Sequence, residues 1–580
     1  MPSSPGRPLA GWPGLALLAV ALAGCAVGLV RGVRSGPLWL DETLSVEIAR
    51  LPLSQLHDAL RTDGAPPLYY LLLKGWMALL GTGTVAVRLL TVLLVPIALA
   101  LAWRLGARRG ERAAAVGSVA VLAALPWTMR YGSETRMYLL VVVLVLAAAL
   151  ALEAVHRTGS RRAVALLAVL TGGLLLTHYW ALFLAAAVGL AHLPGLVRRR
   201  GAAVRVVLAL ALGGVLFLPW LPTLLFQAAH TGAPWADPIP PVELLRTPRY
   251  WGGGSDPGRW LLAALLVPLG SWAAWRCRAA RLPAAVLLVT LVLAWAAVLA
   301  GGGAYAGRYT AVVVPLVALV VALGALALPG RWSPPVALLL VVGVGLATGI
   351  PAAGTPRASA AGVVTAFERA GGTPGDLLAY CPDQLGPPVW RLLAGDVEQV
   401  VYPTFGDPRR VDWVDYADRQ RAADPAAFAR RLSDLAGRSP LFVLAATEYR
   451  TFEGQCEELL ASLTTLRGEP EILFGNPGTT GQLLHRFGVA RAYEQCYLAA
   501  TTSTLTVAST SGCTLTFTVW LPSDLIGAER VTSRRSSLGP PADCTASTTS
   551  VDVTEPNSRP PSPERAGRRT RSPDSCAEIS

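Results

Sequence analysis

Residues 11–42 read GWPGLALLAVALAGCAVGLVRGVRSGPLWLDE, an apolar run from Gly11 to Val33 followed within a few residues by two adjacent carboxylates, Asp41 and Glu42. At about 1.5 Å of rise per residue such a run crosses the roughly 30 Å hydrocarbon core of a bilayer. It lacks a small-residue cleavage site followed by polar sequence, so it reads as a first membrane helix that is retained rather than as a removed leader. The carboxylates then fall where the chain leaves the lipid. That combination, a span followed by a paired acidic motif at its exit, sets the frame for the rest of the chain.

The pattern continues outward. Of 580 residues, 53% are hydrophobic and only 15% charged, against about 25% charged in an ordinary soluble domain. This excludes a cytosolic globular enzyme. Further spans are expected near 85–103, 113–127, 138–155, 163–177, 180–196, 204–222, 259–275, 284–300, 310–328 and 335–352, eleven with the first. Pro66–Leu80 is apolar but short, opens on Pro-Pro and contains Lys74, which suits an interfacial or re-entrant helix.

The net charge of +13 resides in short loops, which argues for membrane topology and against nucleic acid as a partner. Arginines collect at Arg104–Arg112, Arg157–Arg162, Arg198–Arg205 and Arg276–Arg281, on alternate connections. The positive-inside rule makes those loops cytoplasmic. It places residues 34–84, 128–137, 178–179, 223–258 and everything after about 353 on the outside. Lys74 is the only lysine, the mark of a GC-rich coding sequence, and a bacterial plasma membrane is the expected location.

Residues 1–352 therefore form the expected transmembrane domain. Residues 353–490 carry Gly and Pro punctuation, acidic residues and short apolar runs such as Leu377–Tyr380 and Leu441–Ala446 between helical patterns, and read as a small extracytoplasmic α/β domain. Residues 491–580, rich in Ser, Thr, Pro and Arg, read as a disordered tail, and a shifted reading frame would account for the same abrupt change. The eight cysteines show no CxxC spacing, so no zinc or haem site is indicated; Cys381 and Cys456 either pair outside the cell or remain thiols.

The residues able to carry chemistry cluster on the outer side. Asp41 and Glu42 suit a general base beside the membrane, and equally a solvated first helical turn. Tyr69, Tyr70 and Lys74 follow Pro66-Pro67 and suit an interfacial anchor or a ligand contact. Arg130, Glu134, Arg136 and Tyr138 crowd the mouth of the next outer segment, where arginine offers planar, permanently charged donors for phosphate. His178-Tyr179 and Arg308-Tyr309 lie on the same face.

The ordered set Leu38-Trp39-Leu40-Asp41-Glu42, Pro66-Pro67-Leu68-Tyr69-Tyr70, Glu134-Thr135-Arg136-Met137-Tyr138, His178-Tyr179 and Arg308-Tyr309 resembles membrane glycosyltransferases of the GT-C fold. More closely it is similar to glycosyltransferase family 39 and its protein O-mannosyltransferase-like and aminoarabinose-transferase-like relatives. The resemblance spans about 1–352. It implies a polytopic helical enzyme that passes a sugar, a hexose such as mannose, from a polyprenyl-phosphate donor to a glycan, lipid or protein hydroxyl outside the membrane, with inversion.

By the same resemblance Asp41 is the general base with Glu42 beside it, and Arg136 contacts the donor phosphate, supported by Glu134 and Tyr138, with Arg308 as a second contact. Relatives commonly carry histidine before the Pro-Pro pair where this chain has Ala65, and Asp63 is near enough to substitute. No cofactor is required on this reading, and a divalent metal is not indicated. A transporter or flippase of a lipid-linked substrate is the competing reading. It places ionisable residues at mid-membrane rather than at helix ends.

Overall fold

The quoted run folds as α1, Trp12–Val33, in a computed structural model that describes residues 9, 11–232, 239–253, 255–301, 303–393, 397–446, 453–475, 482–489, 502–508 and 514–520. Three helices of the first outer loop follow: α2 (Leu40–Arg50), α3 (Leu53–Asp63) and α4 (Leu68–Leu80). With thirteen residues, α4 reaches about 20 Å and is too short to cross.

The stretch Thr84–Ala124, α5, is helical throughout, across both of the spans expected over it. A Cβ on Gly106 would nevertheless lie 2.7 Å from the carbonyl oxygen of Ala114. Residues eight apart in a straight helix stand about 12 Å apart. The segment therefore doubles back around residues 109–112, giving limbs Thr84–Arg109 and Arg112–Ala124. The second limb ends before Pro126, whose ring cannot sit in a helix interior. The chain resumes as α6 (Pro126–Gly132), bent 61° from it.

Nine further helices among the described residues complete the membrane part: α7 (Tyr138–Thr158), α8 (Arg161–Leu175), α9 (Ala181–Val197), α10 (Gly201–Phe217), α11 (Leu221–His230), α12 (Asp256–Arg276), α13 (Arg278–Gly301), α14 (Val314–Leu326) and α15 (Ser333–Ala353). Every expected span thus has a helical counterpart. By length and composition six segments among the described residues can cross a membrane, or seven if the bent pair is one span. The fifteen residues of α8 and thirteen of α14 reach about 20 Å, short of the hydrocarbon core, so apolar character alone does not make them spans. Every residue of α14 from Val314 to Ala325 is buried, as befits a helix surrounded by others rather than by lipid.

Beyond α15 lies an α/β unit. Its sheet has the order β2-β1-β3-β5-β4, from β1 (Leu377–Cys381), β2 (Glu398–Val401), β3 (Leu441–Ala446), β4 (Glu471–Phe474) and β5 (Gln482–Phe487). β1 runs parallel to β2 and β3, and β5 is antiparallel to β3 and β4. Alternation along β1 sends Leu377, Ala379 and Cys381 to one face and Leu378 and Tyr380 to the other. Helices Pro425–Ala436 and Gln455–Arg467 cover the first face, Ala360–Arg369 the second. Cys381 and Cys456 form a disulfide from β1 to the covering helix.

Leu44 of α2 is buried in the first of these cores, with Leu40 packed against it. Residues i and i+4 share a helix face. The α/β unit therefore grips one face of α2, while Val46, Ile48 and Ala49 enter the membrane core on the other. In the stretch expected to be a tail, Thr502–Ala508 and Thr514–Trp520 differ by pairing as an antiparallel hairpin, β6 and β7, in keeping with their alternation of threonine and apolar residues. The rest of 491–580 lies outside the described residues.

Candidate active site at the outer end of the helix bundle

The site is built on the N-terminus of α2. Asp41 and Glu42 occupy its first turn, where exposed backbone N–H groups favour negative charge. The two carboxylates then diverge. Glu42 is fully buried, and Arg88 of α5 takes both its oxygens, Nε to Oε1 at 2.8 Å and Nη2 to Oε2 at 2.6 Å. The Thr135 backbone N–H adds a bond to Oε1 at 2.9 Å. Burial pushes the Glu42 carboxyl up, but the hydrogen bonds and charge of Arg88, with Arg357 beyond, outweigh it and hold the group below its ordinary range. Expected as a catalytic partner of Asp41, Glu42 is instead placed as the staple between α2, α5 and the 133–136 segment. Of its roughly four acceptor sites, Arg88 fills two, the Thr135 N–H one and the Trp39 N–H, at 3.4 Å, the last, which leaves none directed at a ligand.

Arg88 also donates to the carbonyls of Val33, Gly36 and Pro37, which fixes the link from α1 to α2. The 129–133 segment is drawn against α1 because Gly28 and Gly32 leave room. A Cβ on Gly32 would fall 2.1 Å from Ser133 Oγ, and one on Gly28 2.4 Å from Met129 Sδ.

Asp41 remains partly open, its side chain 17% exposed. Its Oδ2 lies 4.0 Å from Nη2 of Arg136 and 4.0 Å from Nη2 of Arg308. Nη1 of Arg136 donates to Ser45 Oγ at 2.9 Å and to the Asp41 carbonyl at 3.3 Å, one turn of α2 apart. It also approaches Tyr70 OH at 3.4 Å, and Tyr70 donates to Asp63 Oδ2 at 2.8 Å. Burial raises the Asp63 carboxyl, opposed by Arg136 and Tyr70. Arg308 stands over the rings of Tyr309 and Trp39, at 5.3 and 6.0 Å.

Glu134 is fully buried 3.7 Å from Arg357 and 3.7 Å from Arg130. Burial raises its carboxyl, against the pull of Arg357. Arg357 reaches back from the link to the α/β unit and donates to the Arg130 carbonyl at 2.7 Å and Ser133 Oγ at 3.0 Å. Tyr138 lies 5.2 Å from Tyr131 and 6.1 Å from His178, whose ring is 5.1 Å from Tyr309. His178 accepts from the Trp180 N–H at 3.1 Å. Burial, then the charges of Arg136 and Arg308, push its imidazole down to about 3, so it is neutral at physiological pH.

Three expected contacts are placed elsewhere. Lys74 donates to the carbonyls of Leu51 (2.6 Å) and Ala49 (3.4 Å), so its ammonium closes the C-terminal end of α2. Tyr179 bonds Gln227 and accepts from Trp220 Nε1 at 3.0 Å, turning its hydroxyl toward α11. Tyr69 is buried edge-on to Tyr70 and packs the wall behind Arg136. Arg88, Arg357 and Ser45 were not singled out from sequence. Arg88 stood inside an apolar span, where a charge by itself signals an internal partner. Among the described residues no three His, Cys, Asp or Glu side chains converge to hold a metal ion.

Comparisons with known proteins bear on the fold. The family profile described as dolichyl-phosphate-mannose-protein mannosyltransferase matches residues 64–222. No curated protein matches the sequence. The crystal structure of ArnT from Cupriavidus metallidurans bound to undecaprenyl phosphate is similar at 15% identity and a TM-score of 0.52, covering 81% of this chain and 97% of that one. Its apo form is similar at 14% identity and 0.51, covering 80% and 97%. The chain has the GT-C fold of membrane glycosyltransferases, and the family match falls on the segment carrying α4 to α10.

Proposed function

We propose that the protein transfers a sugar, a hexose such as mannose, from a polyprenyl-phosphate donor to an acceptor hydroxyl at the outer membrane surface, with inversion. The observation that carries this reading is Asp41, partly open and flanked at 4.0 Å by Arg136 and Arg308, at a helix N-terminus where the chain leaves the membrane. The acceptor oxygen attacks the anomeric carbon while the bond from that carbon to the phosphate oxygen breaks. Asp41 takes the acceptor proton as attack proceeds, and the departing phosphate gathers charge that Arg136 and Arg308 face. Guanidinium groups offer paired donors suited to phosphate oxygens, and they supply positive charge without a metal ion.

The family match to a dolichyl-phosphate-mannose transferase and the undecaprenyl phosphate held by ArnT support a lipid monophosphate as the leaving group. An apolar cavity of about 90 Å³ lies among the helices, lined by Val145, Leu174, Leu184, Val286 and Leu316 with Arg109. The arginine-rich loops support a cytoplasmic face opposite the site. The Cys381–Cys456 disulfide supports an oxidising compartment for the α/β unit.

The test uses membranes holding wild-type or Asp41→Asn protein with labelled polyprenyl-phosphate sugars, with EDTA and with added divalent metal. Donor consumption that needs Asp41 and survives EDTA is expected. Near-normal turnover by Asp41→Asn refutes the base assignment, and consumption of no donor by folded wild type refutes the donor class.

A further inference from the structure

At the opposite end of α2 from Asp41, the α/β unit and the membrane domain flank a second cleft, of about 270 Å³, lined by Glu47, Arg50, Trp390, Arg409 and Arg410. The nine residues from Asp41 to Arg50 set it about 13 Å along the helix axis from the catalytic candidate. It shares no side chain with the site described above.

Its charges do not balance. Glu47 accepts from Arg50 at 3.1 Å and from Arg391 at 3.2 Å. Asp407 accepts from Arg409 at 2.6 Å. Arg410 is exposed and forms no ion pair among the described residues. Four guanidinium groups therefore face two carboxylates, which leaves an excess of two positive charges. Arg409, itself paired with Asp407, lies 5.7 Å from the ring of Trp390, so an aromatic surface stands beside the arginine pair.

Depth in the membrane narrows the ligand. Arg391 donates to the Thr82 carbonyl just beyond α4, and α4 presents Leu71, Leu72, Leu79 and Leu80 outward as exposed apolar side chains. Those leucines belong in lipid, so the cleft opens near the level of the head groups. Its wall at Leu51 is held by Lys74, which makes the cavity a built feature of the seam between domains.

We propose that this cleft binds a phosphate group presented at the outer membrane surface, with Arg410 and Arg409 as the principal contacts, Arg50 across from them and Trp390 as a flat wall for the group that bears the phosphate. Two charges of excess match a phosphate, and arginine holds its oxygens in pairs. The phosphate comes either from an anionic lipid head group or from a water-soluble phosphomonoester on the acceptor side. The site stands independently of the transfer reaction, since Asp41, Arg136 and Arg308 take no part in it.

The experiment uses the full-length protein and reads binding rather than transfer. In zwitterionic nanodiscs the protein is titrated with glycerol 3-phosphate and followed by saturation-transfer NMR. In detergent it is titrated with phosphatidylglycerol or phosphatidylcholine and followed by native mass spectrometry. Wild type is compared with Arg409→Gln/Arg410→Gln and with Arg421→Gln/Arg430→Gln, a control pair on the exposed surface.

Loss of charge-assisted bonds is expected to weaken binding roughly tenfold or more in the first variant and leave the control unchanged. Preference for phosphatidylglycerol assigns the lipid source, and glycerol 3-phosphate binding without that preference assigns the soluble source. Equal weakening by the control pair, equal binding by wild type and variant, or binding of neither probe by wild type overturns the proposal. Arg410→Gln alone, which breaks no ion pair, keeps the test open should the double variant not fold. Asp41→Asn is expected to bind both probes as wild type does, which separates failure here from failure of the transfer reading.

Discussion

Replacing Arg88 by alanine tests the staple on which the site rests. Its guanidinium makes five hydrogen bonds, two to Glu42 and three to the carbonyls of Val33, Gly36 and Pro37, and both side chains are fully buried. Removing one member of a buried ion pair strands the other charge without water, at about 3–5 kcal/mol. With roughly 2 °C per kcal/mol for a large domain, the unfolding midpoint of the detergent-solubilised protein falls by about 6–10 °C. Replacing the whole pair, as Arg88→Met/Glu42→Leu, strands no charge and recovers most of that loss. The assay is intrinsic-fluorescence thermal unfolding of the two single variants and the double. A shift under 2 °C for Arg88→Ala, or a double variant as unstable as the summed singles, refutes the assignment of Glu42 as a positioning residue.

Other perturbations read other parts of the molecule. Arg136→Ala is expected to lower kcat/KM for the donor at least roughly tenfold, measured in a donor series; an unchanged kcat/KM contradicts a phosphate contact. Asp383, buried in the α/β unit and bonded to Tyr416, has its carboxyl pushed by burial up to about 7 from an ordinary 3.8. The folded state then holds a proton that the unfolded state releases, so this group's contribution to stability is fully present below pH 4 and is lost as pH rises through about 7. Asp383→Asn flattens that slope, which a pH series of melting curves checks. Cys381→Ser opens a link spanning 75 residues and is expected to cost the unit about 4 kcal/mol, seen as faster proteolysis of the unit in non-reducing buffer.

Several features were legible in the chain because they depend on local pattern. Apolar runs located every membrane helix, since burial in lipid or protein needs an apolar surface regardless of neighbours. Alternation and short apolar runs marked β1 and β3. Asp41, Arg136 and Arg308 were legible from their order along the chain, and the fold brings each guanidinium to 4.0 Å from the Asp41 carboxylate. The two spans expected over α5 are its two limbs, folded back on each other where Gly106 allows close backbone approach, and the span expected at 113–127 bends at Pro126, where a proline sets the direction. The hairpin at 502–520 was missed because composition was weighed over a long window that averaged away two seven-residue strands.

The sequence by itself determined that the chain is a polytopic membrane protein, where its arginine-rich loops fall, and which polar residues gather at the opposite ends of its helices. These follow from transfer free energies and charge asymmetry, which are additive along the chain. Only the tertiary structure decided what each polar group does. Asp41 and Glu42 are neighbours of the same chemical type on one helical turn. A helix turn points them 100° apart, and Arg88, forty-six residues away, closes on one while the other stays open between Arg136 and Arg308. Lys74 likewise carries the charge of a phosphate ligand, but the nearest partners in the fold are the carbonyls that end α2. A carboxylate's role depends on who reaches it first, and that is a matter of distance in the folded chain rather than of residue type.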